Sequence, residues 1–226
     1  MKLKRHFFRT LKLIFAVAAL LVLYAGCTSE ITLELKKDGS VDVTFSGAAG
    51  NAFAALMDTA NGLTGISGPS ASTSNSVNFD TKEIEYEMGS NGFSNVKVVS
   101  KKGTDLTVTM TDKNKKSAMF TSGVVNIENG KLNAQLSPQT LVKFYNSADS
   151  QTVLFLDMLL APIFNDEQMS QEEYVDVLAS FYGDEIAEEI KNSKFRITLK
   201  NPDGTQTVQT VPFVKLLTLD EVIYLR

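Results

Sequence analysis

The chain has 226 residues, 22 of them basic and 26 acidic, for a net charge of −4, with one cysteine, one histidine and no tryptophan. A lone cysteine cannot form a disulfide within the chain, and the single histidine, His6, leaves the sequence beyond it without a Ser-His-Asp or Cys-His nucleophile system. Typical zinc, copper and haem ligation is excluded on the same ground, so neither a metal nor a cofactor is expected, and an acidic, sparsely aromatic surface disfavours nucleic acid as a partner.

The first residues carry Lys2, Lys4, Arg5, Arg9 and Lys12 with no acidic residue, and an apolar run from Leu13 to Leu23 follows. Ala25-Gly26 then precede Cys27. A charged region, a short apolar region and a small-residue cleavage site are the parts of a secretory signal. The apolar run is too short for a helix that spans the ~30 Å hydrocarbon core. A cysteine directly after Ala-Gly resembles the lipobox of bacterial lipoproteins. That resemblance implies a thioether from the Cys27 thiol to diacylglycerol, cleavage before Cys27, and membrane anchoring by acyl chains such as palmitate on the extracytoplasmic side of the cell envelope. Several acyl chains make a durable anchor where one would be marginal. Residues 1–26 are therefore read as a lipoprotein signal peptide, 27–30 as the lipidated anchor and 31–226 as one domain. Removing 1–26 takes five of the 22 basic residues and none of the 26 acidic ones, leaving about −9.

Beyond the anchor, Ile31 to Leu35 and Val41 to Phe45 alternate apolar and polar around Asp38-Gly39, which reads as a β-hairpin with one buried face. Phe53, Leu56, Met57 and Ala60 recur at helical spacing and predict a packed helix over 48–60. From Gly65 to Asn78 the chain is rich in Gly, Ser, Thr and Asn, which predicts a mobile loop over 65–78. Ile84 to Met88 alternates and predicts a strand. Asn95 to Val99 with Leu106 to Met110, and Val124 to Ile127 with Leu132 to Leu136, predict two further hairpins.

Helical signals follow. Ser137-Pro138 is a capping side chain with proline at the first helical position, and Leu141, Phe144 and Tyr145 supply the apolar face behind it. Val153 to Ile163 is almost wholly apolar apart from Asp157. Ser170 with Glu173 is a capping box, and Tyr174, Val177, Leu178 and Phe181 form the stripe of its helix. Gly183 breaks that helix, and a short one is expected over 185–192. Phe195 to Leu199 and Thr207 to Val211 then predict a closing hairpin around the turn at 201–204, Leu216 and Leu217 are expected to be buried, and Val222 to Leu225 to close the sheet. Hairpins, a helical block and closing strands define an α+β fold with a mostly antiparallel sheet.

No residue pattern amounts to a catalytic constellation. Ser94 and Lys97 have Ser-x-x-Lys spacing but run into strand sequence, where that chemistry requires a helix start. Glu172-Glu173 and Glu188-Glu189 are sequence neighbours and do not face each other as a hydrolytic pair must. The apolar run has two readings: a buried core helix, or one wall of a lipid-sized cavity with Leu156, Leu159 and Leu160 as the ligand-binding residues.

From Cys27 to about Ala60 the chain resembles the start of the LppM-type bacterial lipoprotein domain. The features are the cysteine, the alternating strand after it, the Lys37-Asp38-Gly39-Ser40 turn, a second strand and an alanine-rich helix. The resemblance implies an anchored envelope protein with a mixed α/β domain and a lipid or glycolipid ligand. The expectation is thus a non-enzymatic envelope lipoprotein that binds a hydrophobic ligand or a protein partner. The alternatives are a surface-interaction lipoprotein without a pocket and a carboxylate-based envelope hydrolase.

Overall fold

The computed structural model describes residues 28–48, 50–52, 81–90, 92–101, 105–146 and 169–226. Strand β1 (Thr28–Leu35) pairs antiparallel with β2 (Val41–Ala48) through the tight turn between them. Helix α1 (Thr81–Ser90) precedes the hairpin of β3 (Ser94–Val99) and β4 (Asp105–Asp112). A single turn of helix, α2 (Ala118–Thr121), leads into the hairpin of β5 (Val125–Glu128) and β6 (Lys131–Leu136), followed by α3 (Pro138–Asn146). Helices α4 (Gln171–Tyr182) and α5 (Asp184–Asn192) come next, then the hairpin of β7 (Lys194–Lys200) and β8 (Gln206–Pro212). Helix α6 (Phe213–Thr218) and the short β9 (Ile223–Leu225) end the chain.

The strands form a six-stranded sheet in the order β3-β4-β2-β1-β7-β8 and a three-stranded sheet in the order β5-β6-β9. All pairings are antiparallel except β1 with β7, which is parallel and brings Thr28 beside Lys194. The period-two alternation of the larger sheet explains its two faces. Met110, Val43, Leu33 and Leu199 share one register row, Val108, Phe45, Ile31 and Ile197 the next, and all are buried. Each such side chain contributes about 1.5–3 kcal/mol by leaving water. The opposite face carries Thr109, Thr44, Thr32 and Thr198 in one row, β-branched residues that favour strands without demanding burial.

The buried face is covered by the smaller sheet, with β6 against β1 and β7, and by the helices, whose Tyr174, Leu178, Ile190, Phe213 and Leu217 belong to the same core. The Asn201 side-chain carbonyl accepts from the Leu132 amide at 2.8 Å and fastens the two sheets at one end. Ser170 caps α4 as its sequence predicts, and Glu173 completes the reciprocal box. Gly183, at φ +93°, ends α4 and starts α5, a left-handed backbone that side-chain-bearing residues avoid. The fold is α+β, mostly antiparallel, with a helical block before the closing strands.

Four expectations are corrected. Residues 84–88 are not a strand but lie within α1: Met88 is fully buried, Tyr86 is 69% exposed, and Ile84 and Met88, four apart, form the inward stripe. Alternation over five residues fits both periods, and the exposure of Tyr86 between the inward Ile84 and Met88 fits only the helix. Phe181 is 77% exposed rather than part of the packed stripe of α4. After Pro212 the chain forms α6, with Leu217 buried and Leu216 only partly so. Finally, β9 pairs with β6 in the smaller sheet and does not close the larger one. The predicted helix over 48–60, beyond residue 52, and the predicted loop over 65–78 lie outside the described residues, as does the apolar run 153–163.

Candidate functional site

The β1–β2 turn is built by its own side chains. Gly39 takes φ +82° and donates to the Lys36 carbonyl at 3.0 Å, while the Ser40 carbonyl accepts from the Lys36 amide at 2.9 Å. The Asp38 carboxylate accepts from both the amide and the hydroxyl of Ser40, at 2.9 and 2.6 Å, and these bonds hold its carboxyl below the usual carboxylate range. Pairing of Val41 with Asp112 places the exit of β4 beside this turn.

The segment leaving β4 is organised by Asp112, which is 2% exposed. One carboxylate oxygen accepts from the amides of Asn114 and Lys115 at 3.1 and 2.6 Å, and the other from the amide of Ser117 at 3.3 Å. Buried carboxylates need such compensation, and backbone amides supply it. The clamp holds Lys115 in the left-handed region, at φ +54°. A side-chain carbon placed on Gly39 would lie 3.7 Å from the Lys115 ammonium, so Lys115 arches over the neighbouring turn.

The two loops make a rim at one end of the larger sheet. It carries Lys37, Lys113 and Lys116, all exposed, and the half-buried Lys115. Among the described residues none of these four forms an ion pair. Lys36, at the foot of the turn, is different: its ammonium lies 2.6 Å from Glu34 and 3.2 Å from Asp42, and those carboxylates raise its pKa. Of the acidic groups of the rim, Asp112 is turned into the interior, while Asp38 is exposed and bonded to Ser40.

Other motifs resolve into structural roles. Ser94 donates from its hydroxyl to the Thr111 carbonyl at 3.3 Å on an edge strand, and the register shifts before Lys97. Glu173 serves its cap, Glu188 lies 3.4 Å from Lys191, and Glu189 accepts from the Ala52 amide at 3.0 Å. Burial pushes the Tyr174 phenol up and keeps it protonated. Among the described residues no group of three His, Cys, Asp or Glu side chains is placed to hold a metal, and no helix is long and apolar enough to cross a membrane. Cys27, Leu156, Leu159 and Leu160 lie outside the described residues.

Sequence reasoning missed the rim. Lys37 was legible only as part of a turn, and the run Lys113-Asn114-Lys115-Lys116 reads by itself as a solvated loop. The available signal was the density of lysines at both strand ends, but only the register joins them. The chain matches no family model, no curated protein and no solved structure.

Proposed function

We propose that this chain is a non-enzymatic envelope lipoprotein, anchored by lipid on Cys27, whose domain holds a partner at a surface turned away from the membrane. The observation that carries this reading is that β1 begins at Thr28, the residue next to Cys27. No spacer separates anchor from domain, so a lipidated Cys27 holds the start of β1 at the bilayer surface. The eight residues of β1 lead to the lysine rim, at about 3.3 Å each a distance of roughly 25 Å. The binding role is supported by the described carboxylates Asp38, Glu173, Glu189 and Asp203, which serve a turn, a cap, a backbone amide and an ion pair. The resemblance to the LppM-type domain rests on this same anchored hairpin and agrees with the envelope address.

The test is to grow cells that make the full chain or its Cys27→Ala variant with an alkyne-tagged palmitate. Label on the wild-type chain, absent from the variant, with the variant released from the membrane fraction, is the expected result. Equal labelling of both, or an unlabelled wild-type chain, removes the anchor and with it the orientation of the domain.

A further inference from the structure

We propose that the rim formed by Lys37, Lys113, Lys115 and Lys116 is a binding site for a linear, phosphate-bearing polymer. The proposal deepens the envelope reading by giving the outward surface a ligand class, and it rests on that reading only for where the polymer is met.

Four features carry it. First, the ammoniums come from two loops far apart in sequence that the Val41–Asp112 pairing sets side by side. Second, none of the four forms an ion pair among the described residues, although Asp38 lies near enough for Lys113 to help lower its carboxyl. Third, the backbone beneath them is already fixed. The Asp112 clamp, the left-handed Lys115 and the closed Gly39 turn leave little ordering to be done on binding. Fourth, the clamp withdraws the Asp112 charge from the surface, so Asp38 is the one carboxylate that the two loops leave exposed among these lysines.

The arrangement also selects the kind of anion. Lysine is a point charge without the fork that fixes a single phosphate, and these side chains come from two adjoining loops at one end of the sheet. Each contact is weak, and affinity accrues when one chain supplies several anions at once. The negative charge of the rest of the molecule repels a polymer that strays from the rim. The bilayer that would hold Cys27 meets the opposite end of β1, which leaves the rim out of its reach.

The test uses the full chain in a nonionic detergent and long-chain inorganic polyphosphate as probe, with binding followed against salt. The expected slope of log affinity on log salt is about −3, from roughly 0.7 per neutralised phosphate over four lysines. Changing the four rim lysines to glutamine is expected to weaken binding at least tenfold at low salt and to flatten the slope. Four lysines away from the rim (Lys97, Lys101, Lys191 and Lys194) are changed to glutamine as the control, which removes equal charge and should keep the slope. A four-fold Lys→Arg variant at the rim should retain binding, which separates charge from misfolding. Equal loss in rim and control variants would overturn the proposal, as would no binding by the wild-type chain. Tighter binding to phosphatidylglycerol vesicles than to polyphosphate would overturn it too, assigning the rim to a membrane. Palmitate labelling is read independently, so loss of the anchor and loss of polymer binding are distinguishable.

Discussion

At the scale of the residue, Asp112 and Ser117 make opposite predictions although they lie five positions apart and are both buried. The Asp112 carboxylate satisfies three amides. Asp112→Ala orphans them in a partly closed loop and is expected to cost about 3 kcal/mol, since each unmet buried donor costs on the order of 1 kcal/mol or more. The Ser117 hydroxyl is buried with no hydrogen-bond partner. Ser117→Ala removes a desolvated polar atom that gains nothing, and is expected to raise stability by up to about 1 kcal/mol. Urea unfolding checks both: the midpoint should fall for the first and rise for the second. A drop with Ser117→Ala would mean that the hydroxyl has a partner in solution. Neither role is announced by the sequence, because the burial of a short side chain is decided by what packs around it.

At the scale of the element, the turn after β7 ties the two sheets and does so through a charge. Asp203 accepts from the Thr205 hydroxyl at 2.6 Å and the Thr205 amide at 2.9 Å, and lies 3.1 Å from the Lys131 ammonium on the β5–β6 hairpin. The Thr205 bonds first, then the lysine, pull its carboxyl down to about 2. A carboxyl lowered on folding adds stability that is complete above its ordinary value near 4 and is lost as pH falls through about 2. The group is exposed, so the effect is small and screened by salt. Asp203→Asn keeps the turn's hydrogen-bond acceptor but removes the charge. Its melting temperature should lie slightly below wild type at neutral pH and converge with it between about pH 4 and pH 2. A gap unchanged at pH 2 would show that the ionised group is not what matters. Elements marked by such signals were legible in advance: the Asp38-Gly39 turn, the hairpin of Val124 to Ile127 with Leu132 to Leu136, the Ser137-Pro138 start and the Ser170–Glu173 box all stand where the sequence puts them. Residues 84–88 were misread because five alternating residues do not separate the helical period from the strand period when a charged face is present in both.

At the scale of the whole molecule, pairings between strands distant in sequence decide both the sheet order and the rim. Strand β1 sits inside the sheet between β2 and β7, and Thr28 pairs with Lys194 across most of the chain. No local pattern announces such a pairing, which is why hairpins were legible and the strand order was not. The same holds for the rim, whose halves meet only once β2 has paired with β4. A central strand that waits for a distant partner pays a large loop-closure cost before any reward, and the single parallel pairing is of that kind. Refolding of the full chain from urea is therefore expected in the millisecond-to-second range or slower, read by stopped-flow tyrosine fluorescence. A chain ending at Asn192 retains β1 and β2 but lacks β7, so an apolar strand with Ile31, Leu33 and Leu35 becomes an open edge. That fragment is expected to aggregate, or to leave the amides of β1 unprotected in hydrogen exchange. A monomeric fragment with protected β1 amides would show instead that the β1–β2–β4 sheet stands alone and that β7 is an addition to it. The first outcome makes the strand beside Cys27 among the last to be secured.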